Sequence, residues 1–155
     1  MLTQFARLSI DSDGRYAKDS ELQFLEDYFD TVETRINTYE KIRDTADEII
    51  PRMEVEKKEM DPTLFQLAGK DVTERCQSDL HRGLRYVATT VLFSDLNYLR
   101  ENPLLWYRSI VHSFGFAREM DATYKLFPDV VKDYLSDEEL NLALPVFQAY
   151  RSILK

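Results

Sequence analysis

The segment Glu74-Arg75-Cys76-Gln77-Ser78-Asp79-Leu80-His81-Arg82-Gly83-Leu84-Arg85-Tyr86 gathers the most chemically suggestive residue types in the chain. Wound as an α-helix, it puts Asp79 one turn beyond Cys76 and about 60° around the axis, with Gly83 and Tyr86 following on that side. A thiol, a carboxylate, a position without a side chain and an aromatic ring then share one face, and Arg75, Arg82 and Arg85 stand around it. That layout suits a large, flat ligand with N–H donors and acidic edges. The thiol can form a thioether, the carboxylate can accept from N–H groups, and the guanidiniums can pair with acids. Each residue also has an ordinary structural use. A lone cysteine on an apolar helix face is usually a small buried hydrophobe. Asp79 has Arg75 and Arg82 at helical spacing, pairs worth roughly 0.2–0.5 kcal/mol, and Arg85 reads equally well as a surface charge.

Composition limits what can position this segment. The chain has 155 residues, enough for one domain (1–155) with a real core and too few for two. Four glycines and five prolines interrupt it, and alternating apolar runs are scarce, so the expected class is all-α. Nine Tyr, nine Phe and one Trp can fill a core or line a pocket for a conjugated ligand. A net charge of −8 disfavours nucleic acid, which needs a basic stripe, and docking on anionic lipid. The single cysteine excludes an intrachain disulfide and a cysteine-based metal cluster, and it suits a reducing compartment. The start of the chain is too polar for a signal peptide, and no apolar run approaches the ~18 residues of a membrane span. The expectation is a cytoplasmic, non-spanning protein. No glycine-rich phosphate loop, H-E-x-x-H or exposed Ser/His/Asp pattern points to an enzyme.

The periodicity predicts a bundle of seven or eight helices. Residues 3–9 form a short first helix that stops at Asp11-Ser12-Asp13-Gly14. A stripe through Leu22, Leu25, Phe29, Val32, Ile36, Tyr39, Ile42, Ala46 and Ile49 follows a start near Ser20, as one helix or as two joined near Asp30-Thr31. Pro51 marks a break or the first turn of a further helix. The cysteine helix follows Gly69 and runs out near Ser94-Asp95; Asn102-Pro103 opens another, which ends at Gly115. Residues 116–126 and 129–135 read as two helices separated by Pro128. Ser136-Asp137-Glu138-Glu139 is a capping box for the last helix, with a kink or restart at Pro145.

The order of these motifs resembles the phycobiliprotein family, in particular subunits of the allophycocyanin type. Cys76, Asp79 and Leu84-Arg85-Tyr86 stand at the spacing of the family's chromophore cysteine, aspartate and Leu-Arg-Tyr, and Val91-Leu92-Phe93-Ser94-Asp95 is similar to the tail of that helix. Asp11-Ser12-Asp13-Gly14-Arg15-Tyr16 resembles the Asp-x-x-x-Arg-Tyr entry, Glu33-Thr34-Arg35-Ile36 the following Glu-x-Arg helix, and His112-Ser113-Phe114-Gly115 the Lys-Ser-Leu-Gly corner. The pattern departs from the family at Ser78, where an arginine is usual, at Arg82 and Gly83, where tyrosines are usual, and in lacking the Pro-Gly-Gly-Asn loop.

The resemblance implies a globin-like bundle with two additional N-terminal helices that pair subunits. It implies phycocyanobilin or a related open-chain tetrapyrrole attached to Cys76, with Asp79, Arg75, Arg82 and Tyr86 around it. It also implies pairing of Asp11 with Arg85 of another phycobiliprotein subunit or a second copy, giving dimers that can close into rings. Further implications are a bilin lyase, phycobilisome partners and a place at the cytoplasmic face of the thylakoid. The implied role is light harvesting or energy transfer; the alternative is a non-pigmented scaffold or regulatory homologue. A haem-binding globin is a third possibility, resting on His81 and His112, the only two histidines.

Overall fold

Apolar residues recurring every three and four positions drive the chain into helices, and the computed structural model, which describes residues 1–155, is all-α apart from one small hairpin. The order is α1 (Leu2–Asp11), α2 (Asp19–Met60), a 3-10 turn (Pro62–Phe65), β1 (Gln66–Leu67), β2 (Lys70–Asp71), α3 (Thr73–Phe93), α4 (Leu96–Leu99), a π turn (Arg100–Leu104), α5 (Leu105–Phe114), α6 (Ala117–Val131) and α7 (Asp137–Leu154). Helix α3 lies along α2, α7 packs on α6, and their facing stripes make the core. The result is the globin-like bundle expected, with α1 and the first half of α2 as the N-terminal addition.

Helix α2 is one uninterrupted helix of 42 residues, so neither Asp30-Thr31 nor Pro51 breaks it. The reason at Pro51 is packing. Ile49, Ile50 and Met53 flank it and are buried, whereas Pro51 itself is exposed. The carbonyl it leaves without a donor lies four residues back on that same outer face, where water reaches it. The two halves of α2 differ sharply. No residue before Thr38 is buried, although the apolar stripe is continuous. Phe29 is 65 % exposed and Ile36 44 %, while Ile42 and Ile49 are sealed in the core. The stripe of the first half is thus only partly covered: Leu22, Leu25 and Val32 are half-buried, and Phe29 and Ile36 are exposed.

This extension is tied down at its ends. The Arg15 guanidinium donates to both carboxylate oxygens of Glu21 at 2.8 Å and to the Asp11 carbonyl at 3.0 Å, fixing the turn between α1 and α2. The C-terminal carbonyls of α3, which lack helical donors, are met by Arg35 (to Val91, 2.9 Å), Tyr28 (to Leu92, 3.1 Å) and the Met1 ammonium (to Ser94). Asp95 accepts from the Thr3 and Tyr98 backbone amides at 2.7 and 3.2 Å, joining α1 to the start of α4.

Three further expectations are corrected. Pro128 does not divide α6, because Phe127, Val130 and Val131 are all buried and hold the helix continuous; Pro145 likewise sits inside α7 between buried Ala143 and Val146. The helix expected at Asn102-Pro103 begins earlier, at Leu96, and passes Pro103 as a π turn, which accommodates one extra residue. Gly115 ends α5 as predicted, in the left-handed conformation at φ 73°. Ser136 caps α7 as predicted: its hydroxyl accepts from the Glu139 amide (3.3 Å), and Glu139 accepts from the Ser136 amide (2.7 Å) and from Lys41 (2.7 Å). Replacing Ser136 by Ala removes the first of these, and the expected cost is about 1 kcal/mol, read as a melting temperature lower by about 2–4 °C. An unchanged melting temperature would show that Glu139 alone secures this terminus.

Candidate functional site

The small hairpin sets the entry to α3. Ala68 and Gly69 take positive φ (50° and 76°) at its tip, and Val72 N–H donates back to the Phe65 carbonyl at 2.9 Å. Asp71 accepts from the Thr73 amide at 2.8 Å and so begins the helix. Further along, Cys76 is buried against Leu64 and Phe65. It also lines a hollow of about 270 Å³ between α3, α5 and α6, whose walls include Arg75, Asp79, Tyr107, Glu119 and Tyr124. Burial pushes the thiol up to about 11; Glu119, Asp79 and Glu54 add to this, and Lys57 opposes it. At pH 7, four units below, roughly 10⁻⁴ of it is thiolate.

Two further hollows follow along α3: one of about 30 Å³ between Arg82, Gly83, Tyr86, Trp106 and Tyr107, and a groove of about 790 Å³ walled by Arg82, Arg85 and Tyr86 on α3 and by Leu2 and Ala6 on α1. Neighbouring hollows share lining residues (Asp79 and Tyr107, then Arg82 and Tyr86), so the three form a track. The track follows α3 for the ten residues from Cys76 to Tyr86, about 15 Å at helical rise. Arg75, Cys76 and Asp79 line its first hollow, and Arg82 and Tyr86 its middle. Asp79 is flanked by Arg75 at 3.4 Å and Arg82 at 3.9 Å, loose pairs with exposed guanidiniums. Asp11 stands apart at the end of α1, exposed, and forms no ion pair with Arg85 within the chain. Ser78 is exposed and outside the track. His81 faces α2, beside Tyr39 and Ile42, and His112 is exposed; neither lines the hollow, which removes the geometric basis for a histidine-ligated haem there.

The gap expected at Gly83 is filled. A Cβ there would lie 2.6 Å from the Tyr124 hydroxyl oxygen, so Gly83 admits Tyr124 rather than leaving open space for a ligand. Tyr124 is buried and stacks on Tyr150, ring centroids 4.3 Å apart. Burial raises the pKa of both phenols well above the ordinary range.

Sequence reasoning missed the polar floor of the hollow. Lys57 on α2 is fully buried and pairs with Glu119 on α6, and its ammonium lies 4.9 Å over the Phe65 ring. Thr123 donates to the same Glu119 oxygen at 2.9 Å. Glu119 Oε2 and Glu54 Oε1 are buried with no donor, a state that costs about 1–3 kcal/mol per group. The i, i+3 pair Glu54–Lys57 looks in sequence like any solvated helix pair; nothing in it announces burial.

The comparisons bear on what this track is. The family model described as "Phycobilisome protein" matches residues 7–154. The chain belongs to the phycobilisome protein family. It is 26% identical over 146 residues, 90% of each chain, to the allophycocyanin alpha-B chain of Cyanidium caldarium. It is also 26% identical over 109 residues to allophycocyanin subunit beta-18 of the same organism, covering 68% of this chain and 64% of that one. The chain is thus a divergent, allophycocyanin-like phycobiliprotein. Proteins of this family harvest light and are not enzymes. No helix is long and apolar enough to cross a membrane.

Gly83→Ala tests the packing along the track. The added methyl must displace a buried, stacked phenol, so the expected loss is about 1–3 kcal/mol. It should appear as a lower urea midpoint together with a changed near-ultraviolet circular dichroism of the tyrosines. Full stability would mean that Tyr124 can withdraw at little cost.

Proposed function

We propose that this protein is a bilin-bearing light-harvesting or energy-transfer subunit, with phycocyanobilin or a related open-chain tetrapyrrole thioether-linked to Cys76. The observation that carries this is the position of Cys76: it lines a hollow together with Asp79 and Arg75, and Arg82 lines the next hollow along α3. The donor set fits the group. An open-chain tetrapyrrole has pyrrole N–H donors and two acidic side chains, and it matches a carboxylate, arginines and aromatic walls.

Each residue has a definite task in this reading. The Cys76 thiol adds across a carbon–carbon double bond; the S–C bond forms, the proton ends on the adjacent carbon, and no leaving group or oxidant is needed. Asp79 accepts N–H bonds. Arg75 and Arg82 exchange their loose hold on Asp79 for the acidic side chains, so Arg82 takes over the charge that Ser78 does not supply. Tyr86 and Tyr107 would wall the pigment and restrict its twisting. When bound, a bilin supplies absorption and emission of visible light, and restriction of twisting favours emission over heat. With so little thiolate at neutral pH, attachment calls for a bilin lyase that removes the thiol proton or holds the pigment against it.

The partly covered apolar stripe of α1 and the first half of α2 supports assembly with another phycobiliprotein subunit or a second copy, Asp11 meeting the partner's Arg85-equivalent across the interface. Dimers of this kind build rings and join phycobilisomes, in the cytoplasm at the thylakoid face. One observation favours a second reading, a non-pigmented scaffold: the track is narrow at Gly83–Tyr107, and Asp79 already has two arginines beside it.

The test is co-production with a bilin-synthesising system, followed by zinc-enhanced fluorescence on a denaturing gel. The proposal expects a fluorescent band from the wild type and none from Cys76→Ser. A colourless wild type that still assembles with phycobilisome subunits would favour the scaffold, and a band that survives Cys76→Ser would place the pigment elsewhere.

A further inference from the structure

The hollow beside Cys76 has a second acidic wall. Glu119, on α6, is 4 % exposed and lines the same space as Cys76 and Asp79. Its Oε1 is engaged by Lys57 and by the Thr123 hydroxyl, whereas Oε2 is buried without a donor. Charge neutralisation of Lys57 accounts for the first oxygen and leaves the second unexplained, since buried acceptors in folded proteins are nearly always paired. Lys57 itself does not line the hollow. The Cys76 thiol and the phenols of Tyr107 and Tyr124 are pushed up first by burial, and Glu119 adds to all three, so its charge acts across this space from α6. The other ionisable groups around it are Glu54 on α2 and Arg75 and Asp79 on α3.

We infer that Glu119 is a second hydrogen-bond acceptor for the ligand of this hollow, taking a pyrrole N–H on Oε2 from α6 while Asp79 takes another from α3. This rests on the bilin reading and goes beyond it by assigning a residue outside the cysteine helix. Two carboxylates on the tetrapyrrole nitrogens favour its protonated, positively charged form more than one does. Lys57 opposes this from behind Glu119 and therefore more weakly.

The experiment compares wild type with Glu119→Gln, both co-produced with bilin, by absorption across acid to alkaline pH. Zinc-enhanced fluorescence on a denaturing gel reports attachment separately. Glu119→Gln is expected to keep pigment on Cys76, to shift the visible band, and to lose the protonated-bilin spectrum at a pH lower by about one unit. Because Glu119→Gln leaves the Lys57 ammonium poorly paired and can impair folding, the double variant Lys57→Met/Glu119→Gln is measured alongside. Glu119 touches the ligand and Lys57 does not, so the shift keeps its sign and becomes smaller. Folded variants that titrate like the wild type and differ only in melting temperature would show that Glu119 serves Lys57 alone, overturning the inference and sparing the bilin reading. A wild type without covalent pigment overturns both.

Discussion

Lys57 has no access to water, and its ammonium is matched by a single neighbour, Glu119. A buried ion pair gains little over an apolar pair but is costly to separate, so it acts as a register pin between the elements that carry it. Here those are α2 and α6. With α6 pinned to α2, Tyr124 must meet α3, and it does so where Gly83 has no side chain. On the near side of that contact α3 and α6 cannot close together, and the hollow beside Cys76 is the space left. Burial in that space, reinforced by Glu119, Asp79 and Glu54 and opposed by Lys57, keeps the thiol protonated.

The same helix that carries Lys57 supplies the surface for assembly. Its apolar stripe is continuous from Leu22 to Ile49, yet burial begins only at Thr38. A bundle of this size has no further helix to cover the first half, and the Arg15–Glu21 clamp together with the contacts to the end of α3 holds it in place. Apolar and only partly covered, it is suited to a partner subunit, in keeping with a family named for an assembly.

Much of this was legible in the sequence, for local reasons. A capping box and a C′ glycine are decided within four residues, so Ser136 and Gly115 were found. The spacing of Cys76, Asp79 and Tyr86 is a property of one helix, and the structure brings them to one track. What failed depended on distant packing. Pro51 looked like a break or a new first turn, Pro128 like a break and Pro145 like a kink or restart, but buried neighbours on both sides carry the helix past each of them. Gly83 looked like an opening; whether a missing side chain is a void depends on what comes across from another helix, and here that is Tyr124. Lys57 and Glu119 lie sixty-two residues apart and look like surface charges until α2 and α6 meet.

The central claim is that the hollow between α3, α5 and α6 is a covalent tetrapyrrole site anchored on Cys76. Intact-mass analysis of the protein purified from a bilin-producing host, followed by peptide mapping, tests it most directly. The account predicts a chain heavier by one bilin, with the whole increment on the peptide that contains Cys76. A chain of unmodified mass, or an increment on any other peptide, would contradict it.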